Sequence, residues 1–156
     1  MNNLKKILIS LALLLFLLSC GYTPIFSKKD VNFSIVKIEL LGDKDVRKNI
    51  NSALSSYKNK PDKEKTIELV ITNSKNTTIA SKNSKGEAQT YRISVDVNVK
   101  IILAENNFFE KNFNKTSIYT IINSKSEQKL IENKLIENLS NEIAQQIILE
   151  ILKSTK

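Results

Sequence analysis

One thiol stands in the chain, at Cys20, and there is no histidine at all. A lone cysteine offers a sulfur for covalent modification but leaves no intramolecular disulfide to form. The missing histidine removes His-based triads, most zinc sites and most general acid–base schemes near neutral pH. The three glycines, Gly21, Gly42 and Gly86, lie far apart, so the chain has no glycine-rich loop to cradle a phosphate. No pair of carboxylates stands out by spacing. The reading is therefore of a protein that is not an enzyme, needs no metal or soluble cofactor, and whose one chemically special residue is Cys20.

The residues around Cys20 say what that thiol is for. Met1–Lys6 carries two lysines and no acid; Ile7–Leu18 is apolar except for Ser10; Leu17-Leu18-Ser19-Cys20 follows. A short basic stretch, a short apolar stretch and a small residue before a cut describe a secretory signal. The apolar run is about 12 residues, against the roughly 20 that a spanning helix needs. Leu17, Ser19 and Cys20 resemble a lipoprotein processing site, with Leu18 bulkier than the residue usual there. On this reading residues 1–19 are removed and the Cys20 sulfur carries diacylglycerol. Cleavage then frees the Cys20 amine for a further acyl chain. The competing reading is a cysteine inside an ordinary signal or membrane anchor. Several acyl chains would hold the protein where one holds it only marginally, at about 0.8 kcal/mol per buried CH₂. Gly21, where inner-membrane lipoproteins often have Asp, points to the outer membrane.

The net charge of +8 favours anionic partners such as phosphates and lipid head groups. Joint enrichment in Lys, Asn and Ile is also what an A/T-rich genome yields without selection for binding. Export argues against a nucleic-acid partner.

Behind the cysteine, residues 20–32 read as a lipidated tether, because Pro24 and Ser27-Lys28-Lys29-Asp30 discourage regular structure. Residues 33–156 then read as a single domain. Phe33–Leu41 is a strand that Gly42 ends. Asp43 caps a helix with Val46, Ile50, Ala53, Leu54 and Tyr57 on one face. Asn59-Lys60-Pro61-Asp62 breaks it. Thr66–Thr72 is a second strand, extendable to Lys82, and Asn83–Gly86 is a turn. From Tyr91 to Leu103 apolar residues alternate with Arg92, Ser94, Asp96, Asn98 and Lys100, which predicts a strand with one face on a core and one face polar. Such alternation favours antiparallel pairing. A fourth strand runs from Phe108 to Ile122. Ser124 and Glu127 form a capping box before a long helix. Its stripe of Ile131, Leu135, Leu139, Ile143, Ile147 and Ile151 is widened by Ile136, Ile148 and Leu152. The expected fold is α+β: two helices on one face of a four-stranded, mainly antiparallel sheet, in the order β-α-β-β-β-α.

Cys20-Gly21-Tyr22-Thr23-Pro24-Ile25-Phe26, with this element order, Tyr91-Arg92-Ile93 opening the alternating strand and Tyr119 before an Ile/Leu-rich last helix, resembles the mature start and layout of the lipopolysaccharide-assembly lipoproteins, once called rare lipoprotein B. The resemblance implies an outer-membrane lipoprotein on the periplasmic face. It implies a partner, a large β-barrel that delivers lipopolysaccharide to the cell surface, which the lipoprotein helps fold and plugs. Contact with lipopolysaccharide is also implied, and no covalent chemistry. A barrel lumen is polar, which suits the polar face of the third strand. Lipopolysaccharide phosphates suit lysine and arginine. Lys75, Lys82, Lys85, Arg92 and Lys100 are expected near the hairpin and its polar face, with Lys82, Lys85 and Arg92 the candidate head-group contacts. They also suit a bland role as solvated hairpin residues. The scarcity of arginine departs from the pattern, since lysine gives a point charge and not a planar fork. A different reading is a periplasm-facing lipoprotein that binds phospholipid or assists a transporter, using an apolar cavity to which Ile136 and Ile148 would contribute.

Overall fold

The computed structural model describes residues 31–104 and 107–155. The signal segment, most of the tether and Cys20 lie outside the described residues. The elements run β1 (Phe33–Gly42), α1 (Lys44–Leu54), a 3₁₀ turn (Ser55–Tyr57), β2 (Lys65–Lys82), β3 (Ala88–Ala104), β4 (Asn107–Thr120) and α2 (Lys125–Ser154). The expected order β-α-β-β-β-α and the α+β class are as observed. The sheet is ordered β1-β2-β3-β4. β1 runs parallel to β2, and the other two pairings are antiparallel. The reason lies in the connections. A parallel neighbour needs a crossover, which α1 provides, whereas β2–β3 and β3–β4 are joined by short turns.

Both helices start where side chains can satisfy the free N–H groups of the first turn. The Asp43 carboxylate accepts from the Asp45 and Val46 amides at 3.0 and 3.1 Å, and the Ser124 hydroxyl accepts from the Glu127 amide at 3.4 Å. α1 buries Val46, Ile50 and Leu54. α2 buries Ile136, Leu139, Ser140, Ile143, Ala144, Ile147, Ile148 and Ile151. These meet Ile67, Leu69 and Ile71 of β2 and Ile93, Val95, Val97, Val99 and Ile101 of β3 in one core. The alternation in β3 thus sorts its side chains as expected, odd residues inward and even residues outward. Burying a side chain of this size is worth roughly 1.5–3 kcal/mol, so these residues supply most of the cohesion.

Gly42 marks the place where β1 meets β2 closely. Its φ is +106°, and a Cβ there would fall 1.9 Å from the Asn73 carbonyl oxygen. Only glycine fits such a position. The buried Asn73 amide donates to the Leu41 carbonyl at 2.7 Å, closing the end of β1.

Candidate partner- and ligand-facing surface

The helices cover only part of one sheet face. Along β2, Ile67, Leu69, Ile71 and Asn73 are buried, but every residue from Asn76 to Lys82 is exposed. Past Lys75 the β2–β3 hairpin therefore extends as an arm whose β2 strand is bare, while Ile93 and Tyr91 of β3 still tie its base to the core. Its turn is tightly built. The Asn83 side-chain oxygen accepts from the Lys85 and Glu87 amides, the Gly86 amide donates to the Asn83 carbonyl, and Gly86 takes φ +82°. Ser81 and Thr90 hydroxyls bond across the strands at 2.7 Å.

This arm holds Lys82 and Lys85 together at its tip. Arg92 is not with them. Lys82 sits opposite Ala88, and Arg92 opposite Thr78 and Ile118. Four residues of strand put Arg92 about 13 Å down the arm. Among the described residues none of the three makes an ion pair. The other two cations lie away from the tip, although Lys100 is on the polar face as expected. Lys75 lies on the helix side, 3.2 Å from Asp43 and 3.4 Å from Asp45. Lys100 stands at the far end of the sheet, its ammonium 3.9 Å from the centre of the Phe108 ring.

Lys75 is committed to structure by electrostatics. Burial works to lower its pKa, but Asp43 and then Asp45 outweigh burial and raise it. Burial likewise works to raise the Asp43 carboxyl, while the Val46 amide, Lys75 and the Asp45 amide hold it below its ordinary value. Tyr119 is pushed well above a normal phenol by burial and by its 2.6 Å hydrogen bond to Glu132.

The sheet face away from the helices is bare and polar across three strands. Asn98 donates to Asn112 at 2.8 Å, and Asn114 donates to Asp96 at 2.6 Å. With Thr72 and Ser74 they line a hollow of about 400 Å³. The polar side of β3 was legible in its alternation. The contributions of β2 and β4 were not, although Asn112, Asn114 and Thr116 recur with period two. Interposed Phe113 and Lys115 mask that signal.

Among the described residues no cluster of acidic or sulfur ligands could hold a metal ion, and no helix is long and apolar enough to cross a membrane. Ile136 does border a cleft of about 530 Å³, yet Asp45, Lys75, Lys129 and Glu132 border it too. Ile148 is buried in the core away from that cleft.

A family model described as lipopolysaccharide-assembly, LptE, matches residues 35–151. The chain belongs to this family. Solved structures repeat its fold. A rare lipoprotein B from Shewanella oneidensis has a TM-score of 0.57 at 12% identity, covering 77% of this chain and 99% of its own. A lipoprotein B from Nitrosomonas europaea has 0.56 at 15% identity, covering 80% and 88%. A minor lipoprotein from Acinetobacter baumannii has 0.51 at 16% identity, covering 74% and 92%. At such identities the likeness is one of fold. No curated protein sequence matches the chain. Family membership makes this a lipopolysaccharide-assembly lipoprotein.

Proposed function

We propose that the chain is an outer-membrane lipoprotein, held on the periplasmic face by acyl chains at Cys20. There it helps a large β-barrel translocon to assemble and plugs its lumen, so that lipopolysaccharide reaches the cell surface. Its role is mechanical and recognitive, with no covalent step. The observation that carries the reading is the family match over residues 35–151 on a sheet whose second face is polar and uncovered. A polar lumen is the surroundings such a face suits. Lys82 and Lys85 at the arm tip, and Arg92 below them, are the phosphate contacts in this reading. Two lysines offer point charges, and the one arginine offers a fork.

Crosslinking in intact envelopes followed by purification tests it. One large β-barrel should dominate the crosslinked product, and depletion of the chain should deplete surface lipopolysaccharide. Recovery of a free lipoprotein, with surface lipopolysaccharide unchanged, would overturn the reading in favour of a lipid-binding or transporter-auxiliary role. Anchoring is separable. Cys20→Ser should abolish lipid labelling and leave an unprocessed or soluble chain. Mass spectrometry finding an unmodified Cys20 in the wild-type protein would remove the anchor from the proposal.

A further inference from the structure

A second group of cations lies at the end of the sheet opposite the arm tip. Lys58, Lys60, Lys63 and Lys65 follow the 3₁₀ turn and lead into β2. Among the described residues no carboxylate pairs with any of them. The Lys58 ammonium donates to the Asn51 side-chain oxygen at 2.8 Å, and that of Lys65 to the Thr155 carbonyl, both neutral groups. Asp62 and Glu64 interrupt the series and leave it two positive charges in excess. Glu64 is itself occupied, accepting from the Asn32 side-chain amide at 2.9 Å.

The loop that carries these lysines is fastened down. The Asn59 amide donates to the Ile35 carbonyl at 3.1 Å, and the Lys60 amide to the buried Ser34 hydroxyl at 2.7 Å. A loop already held in place loses little freedom on binding. Its fastening is to the first residues of β1, which is also where the tether enters the domain. Lengths decide which end of the molecule stays near the anchor. From residue 20 to residue 31 the chain reaches at most about 40 Å. β2 alone, from Lys65 to Lys82, is about 56 Å long. The lysine loop is therefore within the tether's reach, and the arm tip is the far end. Any path from Cys20 to β1 also passes Lys28 and Lys29, further positive charge between anchor and domain.

We infer that residues 58–65 dock on the anionic phospholipid head groups of the leaflet that holds Cys20. The inference rests on the lipid anchor of the proposed function and adds to it a second attachment of different chemistry. Each lysine near such a surface strengthens attachment about fivefold. Lysine suits the task, since a fluid head-group surface is met by point charges and needs no fixed fork. The two attachments keep this end of the domain at head-group level. They leave the arm tip and the polar sheet face free for the barrel and for lipopolysaccharide.

Fluorescence quenching on vesicles tests this with the full mature chain acylated at Cys20. A dye is placed near the lysine loop by Thr66→Cys or at the arm tip by Ser84→Cys, both exposed positions, and the lipid head groups carry a quencher. On vesicles of phosphatidylglycerol mixed with phosphatidylcholine the dye at residue 66 should be quenched, and on phosphatidylcholine alone it should not. The dye at residue 84 should be little quenched on either. Lys58→Gln, Lys60→Gln and Lys63→Gln together should lower the docking constant about 100-fold. Retention on the vesicles should not change, because the acyl chains remain. Lys65 is spared, since its ammonium ties β2 to the end of α2. High salt should weaken docking of the unsubstituted loop in the same way. Equal quenching at residue 66 on both vesicles, quenching indifferent to the three substitutions and to salt, or quenching at residue 84 in its place would each overturn the inference with the anchor intact. Dye taken up by Cys20 in a chain with no added cysteine would overturn the anchor, and the inference with it.

Discussion

The same two strands lead two lives. From Ile67 to Asn73 and from Ile93 to Ile101, β2 and β3 alternate strictly between a dry helix-covered face and a wet one. From Asn76 to Lys82 β2 is exposed on both sides, and β3 before Ile93 has no buried residue. Backbone pairing is continuous through both regions apart from shifts near Ser81. The difference shows that backbone pairing gives the arm most of its shape, with Tyr91 against Tyr119 as its contact to the core, while apolar burial gives the body its stability. Substitutions in the body should therefore register as stability, and substitutions in the arm as binding.

The largest effect is expected at Ile147, fully buried where α2 meets the sheet. Ile147→Ala removes buried methylene groups and leaves a void, costing about 2–5 kcal/mol. Against a typical total of 5–15 kcal/mol that is a large fraction, visible as a lower urea midpoint with an unchanged slope. A loss below about 0.5 kcal/mol would mean that the helix–sheet core is not what holds the body.

An intermediate effect is expected at the boundary between the regions, where Lys75 ties β2 to the start of α1. Lys75→Met should cost roughly 0.5–1 kcal/mol, as partly exposed pairs do, and less in high salt. The pH dependence fixes the sign. Asp43 has a depressed folded-state pKa, so its contribution is present above the ordinary carboxylate value and is lost as pH falls through the depressed one. Lys75 has a raised pKa, so its contribution is present below the ordinary ammonium value and is lost as pH rises through the raised one. Melting curves across pH should show wild type losing more on acidification than Lys75→Met. Parallel acid limbs would dissociate Lys75 from the boundary.

The contrast also explains what could be read from the residues. The body was legible because burial imposes a period: Tyr91–Leu103 alternates, and Val46, Ile50 and Leu54 share a helix face. The extent of β2 past Thr72 was the uncertain stretch, since a ribbon bare on both sides has no apolar pattern to display. The stripe on α2 is expected to begin at Ile131, but Ile131 is 37% exposed and Leu130 70%, because the first turns meet the sheet through polar contacts such as Tyr119 with Glu132. Core contact starts at Leu135 and Ile136. For the candidate site, charge was legible but grouping was not. Which cations share a place depends on strand register and on competing carboxylates. Asp43 and Asp45 take Lys75, and the Phe108 ring takes Lys100, leaving two lysines at the tip and Arg92 apart.

The smallest effect on stability is expected at the arm tip, and there the comparison is sharpest. Lys82→Glu with Lys85→Glu changes two exposed side chains with no ion pair among the described residues, so stability should move by less than about 0.5 kcal/mol. Binding to lipopolysaccharide should instead fall by at least about 30-fold at low salt, since each lysine near an anionic surface contributes about 1 kcal/mol and each glutamate adds repulsion. The difference from wild type should shrink as salt rises and the charges are screened. Arg92→Ser, lower on the arm, should weaken binding separately if head-group phosphates span the interval to the tip. If the double charge reversal lowered the melting midpoint as Ile147→Ala does, the arm would be part of the folding core and the division between the two regions would fail. If stability and binding were both untouched, the division would stand, and the tip lysines would be no more than its solvated end.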